Sequence, residues 1–591
     1  MSTIDEEEED AEKPYDWGLL KRFLSYLRPH RGAVALLFAI LLGGIAVDLA
    51  APFLLRRAID GPIAAGDAAG LTRLAGFFFI LVFLAGLFET AQHYVSNYAG
   101  QRILYDLRVQ IFDRLQRLPL AYYDKTPVGR LLTRVTGDVE NLAELFTSGI
   151  VGMLGSMLSL VLIVTAMLVI DAKMTALTMA VMPLVFLATK YFRLHARKTY
   201  RAARRAIAAL TSYLNECLSG IKTIQAFNRQ EACAARFDEG AALYRDRSIR
   251  AGYIYSFFWP GIELITTLAI ALVLWRGGKG ILEGSTTFGA FIAFWYLVRK
   301  FFEPIQELAE KYNILQSAMA SSERIFAILD TPAAPAPEAP LTPPEPKGAI
   351  VFENVSFSYD GITPVLKNVS FTVEPGETVA LVGYTGAGKT SVLSLLLRLY
   401  EIEKGRILVD GVDVRDWDPR ELRKRFGMVF QDVFLFSGTV EENVALGRSL
   451  SREQLDAAAE RVNADRVLGR LPDRWAQTLN ERGASISSGE RQFLSFARAL
   501  AGDPSVLILD EATANIDAET EGLIQEALER ILTARTSIVV AHRLSTVRKA
   551  NKILVFHKGE LREEGTHDQL VAQGGLYEKL HRLQFANGSR A

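Results

Sequence analysis

Six long apolar runs, all before residue 300, constrain this chain more than any other feature of its sequence. They are Ala33–Leu55, Leu74–Val95, Leu145–Ile170, Met174–Thr189, Ala251–Trp275 and Gly284–Val298. A helix needs about 20 mostly apolar residues to cross a bilayer, because each residue adds about 1.5 Å against a hydrocarbon core of roughly 30 Å. The fourth and sixth runs are short of that length, and Tyr191, Phe192, Phe301 and Phe302 extend them. Hydrophobic residues make up 50% of the chain and charged residues 23%. Clustering reconciles the two figures: one part is membrane-embedded and one part is soluble.

The gaps between runs carry further information. Asp171–Lys173 alone separates runs three and four, whereas Ser96–Glu144 and Lys190–Arg250 are long and rich in Arg, Ala, Leu and Glu. Both long gaps read as helical pairs that project roughly 30 Å from the membrane. They hold seven and thirteen Lys and Arg respectively, against only a few, such as Arg73, Lys173, Arg276 and Lys279, in the short connections. Basic residues accumulate on the cytoplasmic side, so both pairs and both termini are expected there, in a multi-pass cytoplasmic (inner) membrane protein. The acidic run Asp5–Asp10 lies in a stretch, residues 1–16, that reads as a solvated tail and is the opposite of a positively charged leader. Two cysteines, Cys217 and Cys233, provide neither a disulfide framework nor a metal cluster. A net charge of −1 argues against nucleic acid as a partner.

Composition shifts after Asp330. Thr331–Gly348 is a proline-rich linker, and from Ala349 onward short β-branched strands alternate with helical stretches. Within this α/β region, Val379–Tyr400 reads as strand, glycine loop and helix, and it contains G-x-x-x-x-G-K-[ST] as Gly383, Gly388, Lys389 and Thr390. Such a loop turns successive backbone N–H groups toward phosphate oxygens, and the following helix aims its dipole at the same anion. Thr385, Gly386, Ala387 and Ser391 complete the nucleotide cradle. Lys389 would reach the β- and γ-phosphates of ATP, and the Thr390 hydroxyl would ligate Mg²⁺. A second apolar strand, Ser505–Thr513, ends in two carboxylates. Asp510 is placed for the Mg²⁺ shell, which leaves Glu511 to orient or deprotonate the attacking water.

These motifs resemble the nucleotide-binding domain of ATP-binding cassette (ABC) transporters, and the chain from about Trp17 to Phe585 resembles a half-transporter of the exporter type. The resemblance implies a membrane α-helical domain (17–330) of six transmembrane helices with long cytoplasmic extensions. The linker (331–348) and an α/β P-loop ATPase domain (349–591) follow. It implies that Tyr359 stacks on adenine and that Gln431 touches Mg²⁺ or the catalytic water. It also implies that Asp517 reaches the opposite nucleotide domain and that His542 contacts the γ-phosphate. The short segments Ala121–Thr126 and Leu214–Gly220, at the tips of the helical pairs, would transmit closure.

The family's signature, Leu-Ser-Gly-Gly-Gln, stands here as Ile486, Ser487, Ser488, Gly489 and Glu490. Ser487 and Gly489 are retained, so a hydroxyl and a close backbone approach remain for a partner's γ-phosphate. Ser488 adds a Cβ. The Glu490 charge favours a helix N-terminus but would repel a triphosphate if it pointed that way. Catalytic residues kept beside a bent signature imply an unequal pair of half-transporters, with a homodimer as the alternative. The expected activity is ATP-driven export of an amphiphilic drug, lipid or peptide by alternating access. An importer or an ATP-gated channel on the same architecture is the other reading. Asp48 lies near the end of the first span, Glu263 lies within the fifth, and Glu89 and His93 lie near the end of the second. Such groups suit either a cavity that attracts a cationic amphiphile or pairing with basic side chains.

Overall fold

The computed structural model describes residues 17–335, 337, 344–510, 518–532, 535–541 and 544–584. The chain divides into two compact units, one of residues 1–116 and 129–331, the other of residues 117–128 and 332–591.

The first unit is helical. Its long helices are α1 (Arg31–Ala58), α2 (Ala68–Arg117), α3 (Val151–Ile170), α4 (Met182–Ser219), α5 (Gln230–Leu282) and α6 (Phe288–Asp330). Among the described residues, five helical stretches are long and apolar enough to cross a membrane: Lys21–Ile63, Ala68–Arg117, Val128–Ile170, Ala172–Ser219 and Gln230–Leu282. Helix α6 has the length, but Arg299, Lys300 and Glu303 interrupt its apolar stretch.

Three expectations shift in detail. The run Met174–Thr189 is not one helix: Ala172–Met179 ends in a turn at Ala180–Val181, and α4 restarts with Pro183 in its first turn, where a missing N–H costs nothing. The run Gly284–Val298 becomes helical only at Phe288, because Gly284 is left-handed (φ 71°) and the Thr287 side chain caps the helix on Ala290 N. The crosswise helix at the tip of the second helical pair is Ile221–Ala226, whereas Leu214–Ser219 is still the end of α4. Helices α4 and α5 pack antiparallel along their length. Their tip leaves Leu218 (62% exposed) and Phe227 (74%) bare. Between α6 and the segment after residue 128, the buried Asp138 carboxylate receives both Arg324 guanidinium nitrogens (2.6 and 2.9 Å) and the Ser321 hydroxyl (2.9 Å).

Among the described residues the second unit holds two large sheets and a two-stranded one that joins Gly438–Thr439 to Thr478–Leu479. The first is antiparallel, ordered β2-β1-β4-β5 from β1 (Ile350–Ser358), β2 (Pro364–Val373), β4 (Lys404–Val409) and β5 (Val412–Asp413). The second is ordered β10-β9-β3-β8-β7-β6. It comprises β3 (Thr378–Val382), β6 (Phe426–Val429), β7 (Val506–Asp510), β8 (Thr536–Val540), β9 (Lys552–His557) and β10 (Glu560–Gly565). All its pairs are parallel except β9 with β10. Strands β3, β7 and β8 are buried on both faces, which explains their unbroken apolar sequences. Alternation sorts β3 between two cores: Val379 and Leu381 face the antiparallel sheet, and Ala380 and Val382 face the helical layer. The register sets Leu381, Val540 and Asp510 at one level. The carboxyl ends of these strands therefore form one edge, the place where open parallel sheets bind ligands.

Candidate nucleotide site

Strand β3 delivers the glycine loop to that edge, and α7 (Lys389–Leu396) follows it. At Gly383 a Cβ would lie 2.4 Å from the Phe556 carbonyl oxygen, so only glycine lets the loop leave between β3 and β9. Gly388, the N-cap of α7, is left-handed (φ 102°), and a Cβ there would meet Leu366 Cδ2 at 2.7 Å and Val365 O at 3.2 Å. Lys389 is buried, and its Nζ donates to the carbonyls of Gly383 (2.7 Å) and Tyr384 (3.2 Å). The lysine thus spans the loop and holds its curl. Thr385, Gly386 and Thr390 are exposed, while Ala387 and Ser391 are buried.

Asp510 ends β7 two strands away and is buried. Burial pushes its carboxyl above the usual carboxylate range, and the Lys389 charge opposes that shift. A cation at this edge would relieve the buried charge. Among the described residues no group of three or more His, Cys, Asp or Glu could hold a metal by itself. This suits Mg²⁺, which is usually bound by one or two protein oxygens together with substrate phosphates and water. Gln431 stands exposed two residues past the end of β6. Glu511, Asp517 and His542 lie outside the described residues.

Tyr359 follows β1 with its ring partly exposed. Its hydroxyl and that of Ser391 lie 2.9 Å apart, which ties the phenol to the phosphate-loop helix. The ring also meets Tyr400 edge-on (centroids 5.0 Å, 86°). The Tyr400 hydroxyl donates to Asp124 Oδ2 at 2.5 Å, and burial together with this carboxylate pushes the phenol's pKa up. Asp124 belongs to the short helix Leu120–Lys125, which falls within the second unit. Tyr359, Asp360, Tyr400, Ala121, Asp124 and Lys125 line a cavity of about 490 Å³. No sequence signal announces the Tyr359–Ser391 or Tyr400–Asp124 contacts, which join residues far apart in the chain.

The signature stretch begins α8 (Ser488–Leu500). Ser487 is the N-cap. Its Oγ accepts from Glu490 N (3.2 Å), and Glu490 Oε2 accepts from Ser487 N (2.8 Å). This is a reciprocal capping box, whose sequence form S-x-x-E is present in the stretch itself. Glu490 therefore turns back on its own helix. Ser487 and Ser488 stay exposed, and Gly489 is buried. Among the described residues, no hydrogen bond joins Ser487 or Gly489 to the phosphate loop of the same chain.

Comparison with known proteins agrees with this geometry. The family pattern of the ABC transporter transmembrane region matches residues 34–305, and that described as ABC transporter matches residues 366–514. The uncharacterized ABC transporter ATP-binding protein YknV of Bacillus subtilis is 37% identical, over 98% of this chain and 96% of its own length. The chain belongs to the ABC transporter family. The fatty acid ABC transporter ATP-binding/permease protein of Mycobacterium tuberculosis is 38% identical to the transporter, over 87% of this chain and 82% of its own. A solved structure of a bacterial Atm1-family ABC exporter with ATP bound superposes with a TM-score of 0.77 at 28% identity, covering 94% of this chain and 98% of that one. The transporter is a membrane-spanning exporter that binds ATP and couples its hydrolysis to transport.

Proposed function

We propose that the transporter exports an amphiphile across the cytoplasmic membrane, with both termini cytosolic, as one half of a pair whose two ATP sites lie between its halves. The observation that carries this reading is the phosphate loop held by Lys389 beside the buried Asp510, at the strand edge, in a chain where, among the described residues, no hydrogen bond joins Ser487 or Gly489 to that loop. An ATP held by Tyr359, the loop Gly383–Ser391 and Lys389 meets Ser487 and Gly489 only if a second chain supplies them. Thr390, Asp510 and Gln431 would hold Mg²⁺, which neutralises phosphate charge. Glu511 orients the water, His542 contacts the γ-phosphate and Asp517 reaches across to the partner.

Closure of the pair then reshapes the membrane helices, because ATP binds the closed state better than the open one. The two cytoplasmic tips are the points of transmission. Leu120–Lys125 already engages Tyr400 through Asp124. The bare apolar tip at Leu218–Phe227 suits docking on the partner's nucleotide domain. The amphiphile class is supported by the fatty acid relative. The partner is a different half-transporter with an intact signature. A homodimer is the second reading, favoured by the capping box, in which Glu490 closes the helix start as a glutamine could.

The deciding experiment measures ATP turnover of the purified chain alone and with a second half-transporter, in reconstituted vesicles. Turnover abolished by Glu511→Gln, with accumulation of an amphiphile on one side, is expected. Turnover that persists in Glu511→Gln counts against the site. Full turnover by the chain alone replaces the unequal pair with a homodimer.

A further inference from the structure

Charges at mid-membrane depth are costly and mark a pathway or a partner. Their depth here can be counted from one fixed point. Asp60, just past the end of α1, accepts from the Thr287 hydroxyl (2.6 Å) and from Gly289 N (2.8 Å), so it ties the outer ends of α1 and α6 together. Twelve residues separate Asp60 from Asp48 on α1, and twelve separate Phe288 from Lys300 on α6. At 1.5 Å per residue, both side chains sit about 18 Å from that junction, near the middle of a core roughly 30 Å thick. They meet there: Lys300 Nζ lies 2.8 Å from Asp48 Oδ2. Counted likewise from Ala68 and Leu282, Glu89 and Glu263 lie roughly 30 Å in, close to the opposite headgroups. They do not belong to this layer.

At this depth Asp48 pairs with Lys300, and Arg299 is the cation left outside that pair. It stands on the exposed stripe of α6 with Trp295 and Glu303, opposite the buried face of Phe294, Leu297, Val298, Phe301 and Phe302. Among the described residues Arg299 has no ion pair, and its guanidinium lies over the Trp295 ring at 5.8 Å. An aromatic face can hold such a group in place without consuming its donors. Asp48 is itself 56% exposed. One turn further along, Glu303 presents a negative charge, which limits the site to a single anionic group.

We propose that Arg299, beside the Lys300–Asp48 pair, reads the headgroup of the exported amphiphile, and that this headgroup is a long-chain carboxylate. The planar fork of an arginine takes both oxygens of a carboxylate, an interaction that strengthens away from water. Asp48 competes for Lys300 and so tempers the site. The result reverses the cationic preference suggested by the acidic residues in the sequence. It rests on the exporter reading above.

The test uses the full-length chain in phosphatidylcholine nanodiscs and radiolabelled oleate, read against empty nanodiscs. Saturable binding is expected, competed by oleate but not by oleoyl alcohol or oleylamine. Arg299→Gln weakens it about tenfold or more, while Arg299→Lys, which keeps charge but not the fork, falls between the two. Asp48→Asn acts in the opposite direction and tightens binding, because Lys300 is released. Disruption of packing alone would weaken both. Equal competition by the alcohol or amine, wild-type binding in Arg299→Gln, or weakening in Asp48→Asn overturns the proposal. ATP turnover sensitive to Glu511→Gln is scored separately. Turnover without carboxylate selectivity defeats only this inference, whereas no turnover even with a second half-transporter defeats the exporter reading on which it rests.

Discussion

The two helix starts proposed above to meet phosphate, both in the second unit, are finished to different degrees. The start of α7 is complete within one chain: Gly388 is left-handed, Lys389 is buried and bonded to loop carbonyls, and Asp510 stands nearby with its charge strained by burial. The start of α8 is capped by its own Ser487–Glu490 box, with both serines exposed. On the reading proposed above, the first end holds the nucleotide and the second closes over the nucleotide of a partner. A family that works in pairs separates the two functions onto surfaces that face each other only after association.

The contrast can be broken from either side. Lys389→Ala removes the one cation held inside the loop, and ATP turnover falls by about 10²-fold or more, measured by phosphate release. Asp510→Asn also abolishes turnover but raises the melting temperature of the nucleotide-free protein. The sign follows from the raised pKa. The folded state favours the protonated carboxyl, so its stabilising contribution is present below the ordinary value of 3.8, is lost as pH rises through the folded value, and is absent at neutral pH. An uncharged amide removes that cost. A lowered melting temperature at pH 7 would show that Asp510 is not desolvated. Gly388→Ala forces a left-handed alanine against Leu366 and Val365, and should destabilise the nucleotide domain by about 1–3 kcal/mol in denaturant unfolding. On the other side, Glu490→Ala opens the capping box, at about 0.5–1 kcal/mol and a small drop in turnover. Glu490→Gln should change neither, because a glutamine closes the same box. A several-fold rise in turnover from Glu490→Gln would mean that the carboxylate faces the nucleotide after all.

Much of this was readable in the sequence because its causes are local. Apolar run length marks the spans, and a glycine loop between a buried strand and a helix marks the phosphate cradle. The S-x-x-E spacing at Ser487 was equally local, yet the family pattern draws attention to a missing glutamine before it draws attention to a helix cap. What stayed hidden depends on three-dimensional pairing. Asp48 reads as a lone acid until Lys300, 252 residues later, is seen beside it. Tyr359 reads as an adenine platform, and nothing in FSYD reveals that Ser391 and Tyr400 fix its position. Helix ends moved by a few residues where turn chemistry outweighed hydropathy, as at Gly284 and Pro183.

The second unit is discontinuous, since residues 117–128 complete it from far upstream. During synthesis that short piece emerges roughly two hundred residues before the rest of its unit begins. It must therefore wait, with Asp124 unmet, while the rest of the helical unit is made. The nucleotide domain cannot finish folding as an autonomous tail, and an error in membrane insertion would be felt at Tyr400 before any ATP is bound.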